Sequence, residues 1–174
     1  MTSARPTNGS GRFARFALTA GGLGLLRPAP GTWGSLPPVV VAVVMVWLAL
    51  PAWQVNAAML VLCALGTLTC LRYGDAAEIT FGRKDPGAVV ADEVAGQSIA
   101  LLGLPWILGD LRTALVFAGF AFVAFRLLDI IKPPPAYGLQ SRAGGLGIVL
   151  DDLVAGVYAC GVAHLATRLL WPAL

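Results

Sequence analysis

The sequence predicts an all-α protein, a multi-helix membrane bundle, and two observations support this fold class. Hydrophobic residues make up 57% of the 174 residues and charged residues only 12%, whereas a soluble domain carries roughly 25% charged residues. The apolar residues are also concentrated in five segments of helical length, which are residues 36–50, 55–71, 98–108, 113–128 and 148–171. We therefore expect membrane lipids to surround the chain.

Domain organisation follows from the distribution of composition. We predict a disordered tail over residues 1–12, which are rich in Ser, Gly, Thr and Asn. The tail lacks the uninterrupted apolar region and cleavage site of a signal peptide, so we expect it to be retained. No change of composition marks a second domain, and residues 13–174 are predicted to form a single helical membrane-embedded domain.

Short connections predict two helical hairpins followed by a C-terminal membrane helix. Residues 51–54 join the first two apolar segments, and residues 109–112 join the next two. Residues 148–171 then form the last helix. Most of the segments are shorter than the roughly 20 residues that cross a bilayer upright, so we expect them to pack against neighbouring helices.

The distribution of charge predicts the orientation of this bundle. Ten of the twelve Lys and Arg residues fall on the side of the N-terminus, leaving Arg112 and Arg168 opposite. The positive-inside rule makes that side cytoplasmic. Eight of the nine acidic residues lie there too, which favours an active site at the cytoplasmic face, although loops also collect charge. The net charge of +3 is modest and scattered, so we expect contact with anionic lipid headgroups and no nucleic-acid partner.

Two acidic pairs, Asp92-Glu93 and Asp151-Asp152, stand at the heads of apolar segments. Small residues follow each pair by one helical turn, namely Gly96 in one case and Ala155 and Gly156 in the other. Two such helices can pack closely and bring the four carboxylates together. The carboxylates then cannot all stay ionised without a cation, and oxygen-only ligands favour Mg²⁺ or Mn²⁺. The helix macrodipole explains one pair alone more simply, but not both.

Two further segments carry groups that suit a phosphate. Gly31, Thr32 and Ser35 lie in a Gly/Pro loop at a helix start, where backbone N–H groups and hydroxyls bind anions. The alternative is that Ser35 only caps that helix. Arg126 and Lys132 lie near a triple proline that ends another helix. For these two the alternatives are an ion pair between Arg126 and Asp129 and a lysine that only reaches toward the membrane surface.

Together these segments resemble the phosphatidylglycerophosphatase A family from about Leu18 to Ala163. The resemblance rests on four motifs in order, which are residues 29–35, Asp85-Pro86-Gly87 with Asp92-Glu93 and Gly96, Phe125-Arg126 through Asp129 to Lys132-Pro133 and Pro135, and residues 144–147 with Asp151-Asp152 and Ala155-Gly156. The acidic positions all match, while Ala91 and Ala136 stand where bulkier residues are expected.

The resemblance implies a Mg²⁺-dependent lipid phosphomonoesterase of the bacterial inner membrane, which hydrolyses phosphatidylglycerophosphate to phosphatidylglycerol in phospholipid biosynthesis. Metal ligands are expected among Asp92, Glu93, Asp151 and Asp152, one of which serves as base. Arg126, Lys132 and the loop of Gly31, Thr32 and Ser35 bind the phosphate. Asp129 orients a basic residue or joins the metal site.

Other enzyme mechanisms fit the residues less well. The sequence contains no Cys-x5-Arg motif and no Asp-x-Asp-Thr motif, which argues against a covalent phosphoenzyme of those two kinds. The single histidine, His164, lies twelve residues beyond Asp152, or about 18 Å along a helix. We therefore expect His164 near the opposite membrane face, away from the acidic pairs. This position argues against a histidine-based lipid phosphatase.

Three alternative functions remain open from the sequence. Intramembrane carboxylates also line transport paths, but here the acids gather at one face and lack an inverted repeat. A lipid-phosphate transferase needs a second substrate pocket, which a sequence cannot reveal. A non-catalytic membrane scaffold releases no phosphate in the presence of Mg²⁺.

Overall fold

A computed structural model describes residues 8–81, 86–139 and 144–170 of the chain, and these residues contain seven α-helices and no strand. The helices are α1 (Asn8–Leu18), α2 (Pro30–Trp47), α3 (Ala52–Phe81), α4 (Ala91–Ala100), α5 (Leu111–Ile131), α6 (Ala136–Leu139) and α7 (Gly144–Leu170), with a 3-10 turn at Leu23–Leu25. The prediction of an all-α bundle is confirmed. Asp85 of the second motif and Trp171 at the end of the last apolar segment lie outside the described residues.

Four of these helices, α2, α3, α5 and α7, are long and apolar enough to cross a membrane. Their outward side chains include Leu65, Val123 and Leu165, each more than half exposed. Exposed apolar side chains on long apolar helices are typical of helices that face lipid. The chain is therefore a multi-pass membrane protein.

The first predicted hairpin is present, because residues 48–51 join α2 directly to α3. The second predicted hairpin differs from the prediction, because the segment before α5 is only partly helical. Helix α4 ends at Ala100, and residues 101–110 continue without regular helix to the start of α5. Ten helical residues extend about 15 Å, half of the bilayer core. The backbone N–H of Gly109 nevertheless reaches the carbonyl of Val46 near the end of α2, at 2.8 Å, so this segment runs to the far end of the bundle.

Two polar side chains support the irregular segment at Gly103, where φ is +69°. Asn56 Oδ1 accepts a hydrogen bond from the Gly103 N–H at 2.8 Å. His164 Nε2 lies 3.0 Å from the Gly103 carbonyl oxygen. Non-helical backbone is tolerated at membrane depth only where the protein satisfies its polar groups. His164 therefore serves the backbone at the end opposite to the acidic pairs, as its sequence position predicts.

Glycines bring α4 and α7 into close contact, as predicted. A Cβ at Gly156 would lie 3.1 Å from the Cα of Gly96, and a Cβ at Gly96 would lie 2.5 Å from the Asp152 carbonyl oxygen. Helix α4 also packs against α2, α3 and α5. It is thus the central element of the bundle, and its two acidic residues are surrounded by other helices.

The glycines before Asp151 have a packing role with α3. Gly145 lies against the backbone of Cys70 and Leu71, and its N–H donates to Asp75 Oδ1 at 3.0 Å. This contact fixes the start of α7 beside α3.

Helix α1 covers residues 8–12 of the segment whose composition predicts disorder, and residues 1–7 lie outside the described residues. Packing against α3 accounts for the helix, since the rings of Phe13 and Tyr73 meet edge to face with centroids 6.4 Å apart.

Candidate active site

The predicted site residues come from four helices whose ends meet on one side of the bundle. Asp92 and Glu93 occupy the first turn of α4, and Asp151 and Asp152 lie two turns into α7. Arg126 and Asp129 are in the last turns of α5, and Lys132 caps its C-terminus. The first turn of α2 completes this end of the bundle. The fold therefore assembles residues that are up to 121 positions apart in the chain, from Gly31 to Asp152.

Three of the carboxylates form a compact group. Asp92, Glu93 and Asp152 each offer one oxygen, and these oxygens all lie within 4.8 Å of one another. Asp92 is 5% exposed and Asp152 is 3% exposed. We refer to these three residues as the carboxylate group.

Each member of the carboxylate group has an oxygen atom that makes no hydrogen bond to any described residue. These atoms are Asp92 Oδ1, Glu93 Oε2 and Asp152 Oδ2, and all are buried. A buried acceptor without a partner costs roughly 1–3 kcal/mol, and a charged one costs more. Such an arrangement is stable only if a proton or a cation compensates the charge.

The pKa values of Asp92 and Glu93, which lie in α4, also indicate that the negative charge of the group is poorly compensated. Burial, followed by the charges of Glu93 and Asp152, raises the pKa of Asp92 well above its ordinary value. Burial raises the pKa of Glu93 to about 7, although hydrogen bonding to Asp92 and the charge of Arg126 oppose part of that rise. The site thus holds more negative charge than its protein surroundings stabilise.

The carboxylate group fits a small hard cation. An octahedral Mg²⁺ takes oxygen ligands at about 2.0–2.1 Å, so neighbouring ligand oxygens are separated by roughly 3–4 Å. The oxygens of the group all lie within 4.8 Å of one another, and the group contains no sulfur or imidazole ligand from the described residues. A donor set of oxygen atoms alone is more typical of a hard cation such as Mg²⁺ or Mn²⁺ than of zinc.

Asp151 faces a different partner from Asp152. Lys132 Nζ donates a hydrogen bond to Asp151 Oδ2, which links the end of α5 to α7. Burial lowers the pKa of Lys132, but the hydrogen bond and the charge of Asp151 outweigh it, so the pKa is raised. Lys132 therefore stays protonated at the edge of the site. The predicted set of four metal ligands is divided into a group of three and a lysine-bound aspartate.

Arg126 and Asp129 form the ion pair that their spacing suggests, with Nη1 and Oδ2 2.7 Å apart. Asp129 also lies close to Asp152. Arg126 in turn approaches Glu93 across the first turn of α2, as the contacts of Gly31 show. The pair is thus part of the same polar cluster as the carboxylate group, and Asp129 holds the guanidinium in place.

The first turn of α2 lies directly against this cluster. A Cβ at Gly31 would collide with Glu93 Oε1 and lie 2.9 Å from Arg126 Nη2. Thr32 is half-buried in the same turn. Ser35 is fully buried one turn later, and its hydroxyl donates to the Gly31 carbonyl at 2.8 Å. Because α2 begins at Pro30 with Ala29 as its cap, the alternative in which Ser35 caps this helix is wrong.

Sequence reasoning missed Gln97, which is fully buried. Neither Nε2 nor Oε1 of its side chain has a hydrogen-bond partner among the described residues. Gln97 follows Glu93 by four positions, so both lie on one face of α4. The signal was available in the sequence, since an amide one turn beyond an intramembrane acid needs polar surroundings.

A cavity of about 400 Å³ opens at the first residue of α2. Its lining consists of Gly24, Leu25, Arg27, Pro30 and residues 86–88. The cavity therefore adjoins the residues immediately before Gly31 and the segment that leads into α4.

The fold and the cluster define a helical integral membrane protein with a buried acidic site at one end. A family model described as Phosphatidylglycerophosphatase A matches residues 16–167. The chain therefore belongs to the phosphatidylglycerophosphatase A family and is a phosphatase.

Curated relatives agree with this assignment. The chain is 35% identical over 145 residues to the phosphatidylglycerophosphatase A of Haemophilus influenzae, a match that covers 79% of this chain and 78% of the relative. It is 36% identical over 145 residues to that of Escherichia coli, covering 82% and 77%. A Bacteroides thetaiotaomicron protein named provisionally as a phosphatidylinositol-3-phosphatase is 33% identical over 141 residues, covering 81% and 85%. No solved structure matches the chain.

Proposed function

We propose that this protein is a Mg²⁺-dependent phosphomonoesterase that converts phosphatidylglycerophosphate to phosphatidylglycerol and phosphate in phospholipid biosynthesis. The observation that carries the proposal is the buried carboxylate group beside two fixed basic side chains, Arg126 and Lys132. Two relatives bear the name of this activity. We further propose that the site faces the cytoplasm in the bacterial inner membrane. The excess of Lys and Arg residues on the same side of the predicted bundle supports this orientation.

Asp92, Glu93 and Asp152 would hold the metal ion, and Asp151 lies beside them. A bound Mg²⁺ polarises phosphoryl oxygens, neutralises their charge and lowers the pKa of a coordinated water. Five carboxylates and two basic side chains meet in this cluster. A phosphate dianion would be repelled by such an excess of negative charge, so cation binding is also needed for the substrate to enter.

The phosphoryl group would be bound by Arg126, Lys132 and the first turn of α2. The ion pairs with Asp129 and Asp151 hold the Arg126 and Lys132 side chains in fixed positions before substrate binds. This lowers the entropic cost of binding the phosphoryl group. Arg126 offers several N–H donors in a plane, whereas Lys132 acts as a point charge. The backbone of Gly31 and the hydroxyl of Thr32 add neutral donors at a helix N-terminus, and Ser35 keeps that turn in place.

Hydrolysis also needs a group that accepts the proton of the attacking water. We assign this role to a carboxylate of the site, because the cluster contains no other base among the described residues. Acyl chains would stay in the lipid beside the spanning helices, and only the polar headgroup would reach the cluster.

A second candidate substrate is a phosphatidylinositol phosphate, because one relative carries that name. This lipid and phosphatidylglycerophosphate both have a phosphomonoester on a polyol that a phosphodiester joins to diacylglycerol. A transporter fits less well, since the described acids of the cluster lie at one end of the bundle. A lipid-phosphate transferase differs from a phosphatase by its dependence on an acceptor alcohol.

The test is phosphate release by the purified protein in neutral detergent micelles, with each of the two lipids, in Mg²⁺ or in EDTA. We expect hydrolysis of phosphatidylglycerophosphate that EDTA abolishes. Asp152→Asn and Glu93→Gln should each lower the rate about 100-fold or more, because each variant loses a ligand of the proposed metal ion.

Asp110→Asn is the matched control. Asp110 caps α5 at the opposite end by accepting from the N–H groups of Arg112 and Thr113, and asparagine caps equally well. Near-normal activity in both site variants would reject the proposed mechanism. Hydrolysis of the phosphatidylinositol phosphate alone would change the substrate assignment.

A further inference from the structure

The cavity beside the carboxylate group is built from two segments that lead directly into the site. Pro30 forms part of its lining and precedes Gly31, whose backbone lies against Glu93 and Arg126. Residues 86–88 form the opposite part and lead through Val90 into the first turn of α4. A ligand in the cavity is therefore a neighbour of a group bound at the carboxylates.

Backbone contacts hold the two sides of the cavity together. A Cβ at Gly24 would collide with the Ala88 carbonyl and lie 3.0 Å from the Val90 side chain. The N–H of Val90 donates to the Leu18 carbonyl at 2.8 Å. These contacts hold the two backbone segments together, and the absence of a side chain at Gly24 is what permits their approach.

The described lining of the cavity carries a charge opposite to that of the carboxylate group. Arg27 lines it, is exposed, and forms no ion pair with any residue that the structure describes. Arg126 and Lys132, by contrast, are each bound to an aspartate. The described lining contains no carboxylate. Among the described residues of the lining, an anion therefore meets a positive side chain, whereas the carboxylate group would repel it.

We propose that this cavity binds the phosphodiester of the lipid headgroup through Arg27, while the phosphomonoester lies at the carboxylate group. The inference rests on the proposed function, in which the substrate carries both kinds of phosphate, separated by a polyol. An arginine can make two parallel hydrogen bonds to a phosphate. Arg27 is then a specificity residue, which selects lipids with a phosphodiester over phosphatidic acid.

The experiment compares two substrates with identical acyl chains, phosphatidylglycerophosphate and phosphatidic acid, in neutral detergent micelles with Mg²⁺. Arg27→Gln should lower kcat/KM for phosphatidylglycerophosphate roughly 10-fold to 100-fold, mainly through KM, because one charge-assisted contact is lost. The rate with phosphatidic acid should change little. Arg27→Lys should restore part of the loss.

Arg15→Gln is the matched control, since Arg15 is an exposed arginine of α1 outside the cavity lining. Its kinetics should equal those of the wild type. Glycerophosphoglycerol, a soluble phosphodiester without a phosphomonoester, gives an independent measurement. It should inhibit the wild type competitively and inhibit Arg27→Gln at least about 10-fold less well.

Three results would overturn the inference. They are an unchanged kcat/KM for phosphatidylglycerophosphate in Arg27→Gln, an equal loss with both substrates, and a loss that is absent in neutral micelles but appears when the same assay is repeated in vesicles of anionic lipid. The last would show attraction to the membrane surface instead. If the wild type releases no phosphate from phosphatidylglycerophosphate, the proposed function itself fails, which is a distinct outcome.

Discussion

At the scale of single residues, the protein keeps charged groups together at a cost to its stability. Asp92 and Asp152 are buried, and each has an oxygen without a described partner. Repulsion among such carboxylates destabilises the fold unless a cation is bound. Active sites commonly sacrifice stability in this way. The cost should therefore be measurable as a stability that depends on metal.

Asp152→Asn should make the metal-free protein more stable. At pH 8 in EDTA, we expect the variant to melt several degrees above the wild type, because one buried charge is removed without loss of volume. Added Mg²⁺ should raise the melting temperature of the wild type but not of the variant. Thermal unfolding in detergent measures both effects. A variant that melts below the wild type in EDTA would contradict this account of the cluster.

At the scale of helices, the contact between α4 and α7 sets the geometry of the site. Gly96 and Gly156 let the two backbones approach, and the carboxylate group takes residues from both helices. Any side chain at this contact must separate the helices by some tenths of an ångström. Because ligand oxygens around a small cation tolerate little displacement, a small change in packing should have a large effect on activity.

Gly156→Ala tests this coupling. The new Cβ would collide with the Gly96 carbonyl oxygen, and overpacking of this kind costs roughly 1–3 kcal/mol. We expect at least a 10-fold loss of phosphate release, because displacement of the helices moves Asp152 of α7 away from Asp92 and Glu93 of α4. The melting temperature should also be lower. Gly161→Ala is the control on the same helix, because nothing lies within 4 Å of a Cβ there. Full activity in Gly156→Ala would mean that the helix contact does not set the site geometry.

The structure of the segment after α4 could be predicted only in part from the sequence. Its apolar composition predicts a helix over residues 98–108, but the helix ends at Ala100. Gly103 and Pro105 are visible helix breakers in the sequence. What the sequence does not reveal is that Asn56 and His164 satisfy the Gly103 backbone, because those residues are 47 and 61 positions away.

At the scale of the whole molecule, the polar cluster and the cavity lie at the end of the bundle that the distribution of Lys and Arg predicts to be cytoplasmic. Asp110 and His164 belong to the opposite end, near the end of α2 and the start of α3. This separation predicts a single accessible face for the substrate, as a lipid phosphatase requires and a transporter does not.

Cysteine labelling tests the orientation. In a variant whose native Cys63, Cys70 and Cys160 are replaced by alanine, Arg112→Cys should react with a membrane-impermeant maleimide in intact bacterial spheroplasts. Arg15→Cys should react only after the membrane is opened. Both positions are exposed, so a difference in labelling reports the side of the membrane. The reverse pattern would place the carboxylate group on the outer face and reject the cytoplasmic assignment.

By itself, the sequence determined the membrane-bundle class, the two acidic pairs, the small residues that bring α4 and α7 together, and the family. These features are local, because they depend on composition and on spacing along one helix. The tertiary structure decided which carboxylates meet. Asp151 and Asp152 project about 100° apart on α7, so helix rotation alone determines that Asp152 joins the carboxylate group and Asp151 meets Lys132. The cavity at Arg27 likewise depends on two distant segments that only the folded backbone brings together.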